Sequence, residues 1–140
     1  MEEIENWEIC RKTQIIDVEI DPSKIEALKL SVKKRIEHIN TIKVTQDNTS
    51  FVIENYYEAI KELLTSLLLK NGLRSKNHKC LISYFYHKYK EHESSSHLIA
   101  QLHNLRNRLN YYGELIPKEF YDKHIDDIKD IIGILEKLVQ

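Results

Sequence analysis

Along most of the chain apolar residues recur at steps of three and four, separated by short polar intervals, which is the pattern of amphipathic helices joined by turns. Ile25, Leu28, Val32, Ile36 and Ile39 make one stripe, with Lys29, Lys33, Lys34 and Glu37 outside it. Asp21-Pro22-Ser23 opens this run with a capping carboxylate and a proline at the first helical position, predicting a helix from about residue 22 to 43. Asp47-Asn48-Thr49-Ser50 is a turn cluster able to cap the next helix, over about 50–70. That helix is apolar around most of its circumference. Val52, Tyr56, Ala59, Ile60, Leu63 and Leu67 form one stripe, Ile53, Tyr57, Leu64 and Leu68 a second, and Glu54, Glu58, Lys61, Glu62 and Thr65 the polar strip. Such a helix is either central or covered on one side by a second subunit.

Asn71-Gly72 ends it as a C-cap signal. A basic loop, Leu73 to Lys79, then leads into a third helix over about 76–90 rich in aromatic residues, which read as core or interface. Glu91 to His97 is a polar connection whose serines can cap a fourth helix over about 96–112, with Leu98, Leu102, Leu105, Leu109 and Tyr112 on its seam and Gly113 closing it. Pro117 opens a fifth, striped by Tyr121, Ile125, Ile128, Ile132, Leu135 and Val139. Upstream, Ile16 to Ile20 alternates like a short strand, but no second strand-like segment is present to pair with it. Residues 1–21 therefore read as an arm docked on the helices or on a partner subunit, and residues 22–140 as one all-α, up-and-down bundle of four to five helices.

Composition narrows the classes. The chain has 140 residues, 41% hydrophobic and 31% charged, enough for one core and too apolar for a disordered chain. Three Gly and two Pro leave little room for the turns of an all-β fold. The net charge of −1 gives no bulk attraction to nucleic acid, yet Lys61 to Tyr112 holds nine Lys and Arg against three Glu, and five of the seven His. A basic middle between acidic ends is either a solvated face or the place for a local anionic ligand. Cys10 and Cys80 make neither a disulfide framework nor a four-ligand zinc site, and Cys80, among apolar neighbours, reads as a small core residue. His92, His97 and His103 share no face with a carboxylate, so neither a metal site nor a cofactor is expected. No apolar run approaches the ~20 residues of a membrane helix. The acidic opening Met1-Glu2-Glu3-Ile4-Glu5 argues against a leader peptide, which makes the cytoplasm the default location.

The densest chemistry lies in Asn104-Leu105-Arg106-Asn107-Arg108-Leu109-Asn110-Tyr111-Tyr112-Gly113. His103, Arg106, Asn107 and Asn110 stand at i, i+3, i+4 and i+7, hence on one helical face, with Tyr111 one turn after Asn107 at its edge. An arginine beside an amide can hold a phosphate through its planar fork. His103 is the one ionisable group on this stripe suited to general-base work. Arg108 and, in the basic loop at a helix N-terminus, Arg74, Lys76 and Lys79 are further candidate phosphate contacts. The structural alternative has Arg106 pairing with Glu54 or Glu58 across the bundle while the amides cap the helix end.

Leu105-Arg106-Asn107-Arg108-Leu109-Asn110-Tyr111 resembles the Arg-polar-x-x-x-His signature of HEPN domains. Glu54 to Leu63 and Gly72 to Leu81 resemble that family's second helix and its loop into the third, and the likeness runs over roughly residues 22 to 139. The resemblance implies a homodimer with the motif helices lining a shared cleft. It also implies RNA as the ligand, a metal-independent endoribonuclease or a non-catalytic RNA- or nucleotide-binding module, and a toxin paired with a nucleotidyltransferase-type antitoxin. Carried over, Arg106 stabilises phosphate, Asn107 is the polar residue after it, and Tyr111 stands where the family has histidine. A phenol titrates near about 10, too high for a general base at neutral pH. Three accounts follow: a binding module without cleavage, weak cleavage through positioning by Arg106, Asn107 and Tyr111, or His103 as the base. A bundle acting only through a protein partner is the competing class.

Overall fold

The computed structural model describes residues 2–140, so Met1, part of the acidic opening, lies outside it. Six helices dominate: α1 (Trp7–Thr13), α2 (Pro22–Ile39), α3 (Thr49–Lys70), α4 (His78–Lys88), α5 (Glu93–Tyr112) and α6 (Lys118–Leu138). A two-stranded antiparallel ribbon, β1 (Ile15–Asp17) with β2 (Leu73–Ser75), and a single 3-10 turn at Lys90–His92 complete the elements among the described residues. The all-α reading is right for the bulk of the molecule. No helix among the described residues is long and apolar enough to cross a membrane.

The apolarity of α3 has its cause in its position. It packs against α2, α4, α5 and α6, and both of its stripes are buried. One chain therefore covers this helix, which removes its composition as a ground for a second subunit. Glu62, expected on a polar strip, is buried too, because Arg35 of α2 reaches across to its carboxylate and bonds Asn55 Oδ1 at 2.8 Å. α2 stops at Ile39, four residues short of the expected end. Asn48 explains this: its side chain accepts from Thr45 N and donates to Lys43 O, fastening residues 43–48 as a loop instead of capping α3. Asp21 caps α2 and Asn77 caps α4 through their side-chain oxygens. Tyr112, expected on the seam of α5, is 81% exposed, since Gly113 ends the helix there in a left-handed conformation (φ 65°).

The segment before residue 22 departs most from expectation. It holds a helix, and its strand does have a partner: Ile15, Ile16 and Asp17 pair with Ser75, Arg74 and Leu73 inside what reads as a basic loop. Gly72, at φ 73°, turns the chain from α3 into β2, and its carbonyl accepts from Val18 N. The two cysteines are also corrected. Cys10 of α1 and Cys80 of α4 are joined in a disulfide across 70 residues, both fully buried, so Cys80 is a core residue and a crosslink at once.

Candidate functional site

The site lies where the polar strip of α3 meets the α5 face and the first turn of α4. Glu54 and Glu58, four apart on α3, face Arg106 and Asn110, four apart on α5. Arg106 Nη2 is 3.4 Å from Glu58 Oε1, and Lys61 Nζ holds the same carboxylate at 2.6 Å. With its nitrogen toward α3, the Asn110 amide donates to Glu54 Oε2 (2.8 Å) while its oxygen accepts from Arg106 Nε (3.2 Å). The cross-bundle pairing anticipated as the structural alternative thus exists, but it leaves Arg106 half-buried and within reach of solvent.

From Arg106 a polar chain runs inward. Arg106 Nη1 donates to Asn107 Oδ1 at 3.5 Å, and Asn107 Nδ2 donates to His103 Nε2 at 3.4 Å. An amide nitrogen only donates, so Nε2 accepts and the neutral imidazole carries its proton on Nδ1. His103 is 7% exposed, packed against the rings of His78 (5.6 Å) and Tyr57 (5.8 Å). Burial, then the charges of His78, Arg106 and Lys79, lower its pKa to about 4. His78 is lowered as well, by burial and by Lys61 and Arg106. Burial raises Tyr57 far above an ordinary phenol, despite the opposing pull of Arg106. Its hydroxyl therefore stays protonated and lies 3.3 Å from His78 Nδ1. For Glu58 burial acts upward, but the hydrogen bond and charge of Lys61, with Arg106 and Arg35, leave it net lowered and ionised.

His103, Arg106, Asn107 and Asn110 are thus brought together as their spacing predicts. Tyr111 is not part of the cluster: it is 74% exposed, beside Tyr112 on the outer side of the last turn of α5. Arg108 is exposed and 3.8 Å from Glu114. Arg74, on β2, and Lys76, in the turn after it, are exposed outside the cluster, whereas Lys79 bears on His103 from the first turn of α4. Tyr57, Lys61 and His78 are site residues that the sequence reading missed. In the sequence Tyr57 belongs to an apolar stripe and His78 to a basic loop, and the only signals are a phenol hydroxyl on an otherwise apolar ring and an imidazole among lysines. Among the described residues no group of three or more His, Cys, Asp or Glu is arranged to hold a metal ion.

Chemically, the arrangement offers a fixed cation and exposed aromatics. Arg106 can exchange the Glu58 carboxylate for a phosphate while Asn107 and Asn110 keep its plane oriented. Tyr111 and Tyr112 present faces on which bases can stack. As a proton acceptor the site is poor, because the lone pair of His103 Nε2 is committed to Asn107 and its pKa of about 4 is far below the optimum for base catalysis at neutral pH. Comparison with known proteins finds no matching family model, no matching curated protein and no matching solved structure.

Proposed function

We propose that the chain is an HEPN-like RNA-binding protein whose ligand lies along the C-terminal half of α5. Its phosphate is taken by Arg106 and its bases stack on Tyr111 and Tyr112. The observation that supports this most is the setting of Arg106: half-buried, oriented by Glu58 and Asn110, and about one and a half turns before the exposed Tyr111 and Tyr112 on the same helix. The resemblance of residues 22 to 139 adds the finer features: an up-and-down helix order, a homodimer placing two such faces along one cleft, a nucleotidyltransferase-type antitoxin as partner, and a cytoplasmic location. Binding dominates over catalysis, since Tyr111 stands at the histidine position of the resembled signature and His103 is a weak, committed base. Cleavage is metal-independent and slow where it occurs, driven by positioning and charge stabilisation.

Incubation of the protein with single-stranded RNA in a chelator, beside Arg106→Ala, tests both parts. Binding lost in the variant supports the reading, and cleavage lost with it assigns weak nuclease activity as well. Absence of RNA binding by the wild-type chain sinks the reading and leaves a bundle that acts through a protein partner.

A further inference from the structure

The acidic segment before α1 lies across the groove between α4 and α5, against the inner end of the polar chain just described. Asn104 Nδ2 donates to Glu2 Oε2 at 2.6 Å, His97 Nδ1 is 2.8 Å from the Glu2 carbonyl, and Ser83 Oγ donates to the Glu5 carbonyl at 2.7 Å. Beneath the segment is a cavity of about 310 Å³, bounded on one side by Glu2, Glu3 and Glu5 and on the other by Lys79, His103 and Asn104. Three carboxylates therefore face the side of the site from which His103 and Lys79 can be reached. Behind them Trp7 stacks on His87 (5.6 Å) and leans on Tyr84 (5.4 Å), and Cys10 is bonded to Cys80 one residue beyond Lys79.

We propose that residues 2–5 are an acidic strap that bars an anionic ligand from His103 and Lys79, and that the Cys10–Cys80 disulfide holds it shut. The polar contacts of the strap are few, two of them through single backbone carbonyls, and each competes with water at a part-buried groove. The covalent tie to α4 makes them effective, because it keeps the segment within reach of its groove at high local concentration. A dithiol reductant delivers two electrons and two protons to the disulfide, its own sulfurs closing into a disulfide while Cys10 and Cys80 become thiols. The strap then keeps only non-covalent ties, namely its three hydrogen bonds, the packing of Ile4 and Trp7 and the short β1–β2 ribbon, and its three negative charges can leave the groove. In a reducing compartment, the groove would be open.

The identity of the ligand rests on the RNA-binding reading above; the geometry of the strap does not. Two readouts keep them apart. The first is modification of His103 by diethyl pyrocarbonate, localised by mass spectrometry, together with hydrogen exchange of residues 2–9, on oxidised and dithiothreitol-reduced full-length protein whose helical circular dichroism is intact. Both are expected to rise about tenfold or more on reduction, the exchange reporting local opening. Unchanged protection of His103 and the strap overturns the proposal, whatever RNA does. The second is the affinity of a fluorescein-labelled single-stranded RNA, expected to tighten about tenfold on reduction as the carboxylates depart. If protection falls while neither form binds RNA, the strap stands and the RNA-binding reading falls. Should reduction unfold the chain, the oxidised Glu2→Gln/Glu3→Gln/Glu5→Gln variant substitutes. It is expected to bind inorganic phosphate beside Lys79 and His103, followed by the His103 ring resonances, more tightly than the oxidised wild type, and equal affinity overturns the proposal.

Discussion

Arg106 and Lys61 share one carboxylate, that of Glu58, at 3.4 and 2.6 Å, so two cations at the candidate site are held by a single anion. Replacing that anion with an uncharged amide keeps the shape and removes the competitor of a phosphate. Glu58→Gln is expected to tighten single-stranded RNA binding by about three- to tenfold and to steepen its salt dependence by about one phosphate contact. Fluorescence anisotropy at two salt concentrations measures both, and an unchanged affinity would separate Arg106 from the RNA contact.

His103 makes the fold sensitive to acid. Its pKa is about 4 in the folded chain against about 6.5 for a free histidine, so between these values the unfolded state binds more protons. Stability is then fully present above pH 6.5 and is lost as the pH falls toward 4. His78, also lowered, acts in the same direction, and so does Glu58 at more acid pH, as its carboxylate protonates. Between pH 7 and pH 5 the wild type is expected to lose about 2 kcal/mol more in urea denaturation than His103→Gln. Equal losses would show that the imidazole titrates normally.

Tyr111 projects from the last turn of α5 and supports nothing beneath it. Tyr111→Ala is expected to leave unfolding free energy within about 0.5 kcal/mol while weakening RNA binding by about tenfold, the order of one lost stacking contact. Tyr111→Phe should bind as the wild type does if stacking is the role. A Phe variant as weak as Ala would assign the role to the hydroxyl instead.

The disulfide closes a loop of 70 residues. In the chain-entropy account such a crosslink contributes about 4 kcal/mol. The Cys10→Ser/Cys80→Ser variant is expected to unfold at correspondingly lower urea, with the reduced wild type behaving alike. Full stability in the variant would leave the crosslink no part in holding the fold.

The helices were legible because each carries its own evidence: the stripe of Ile128, Ile132 and Leu135 is local, and so are Asp21 before α2 and Gly113 after α5. What escaped was set by pairing between distant segments. Leu73-Arg74-Ser75 is too short to show a period of two, and it is a strand only because Ile15 to Asp17 lies beside it. Nothing in the spacing of Cys10 and Cys80 says that α1 folds back onto α4. At the site, His103, Arg106, Asn107 and Asn110 could be aligned by counting along one helix. Tyr57 and His78 join them only when α3 and α4 are packed in place, and a tyrosine hydroxyl within an apolar stripe gives no warning of that.

Because the middle of α3 is enclosed by four other helices, Tyr57, Glu58 and Lys61 sit in the part of the molecule that is costliest to open. The opposite wall is different in kind: the final turn of α5 is exposed and ends at a glycine, so it can fray at a small fraction of the global unfolding cost. Motion at the site therefore falls to Leu109 through Tyr112, and relaxation measurements would find exchange on that turn while the facing residues of α3 stay still.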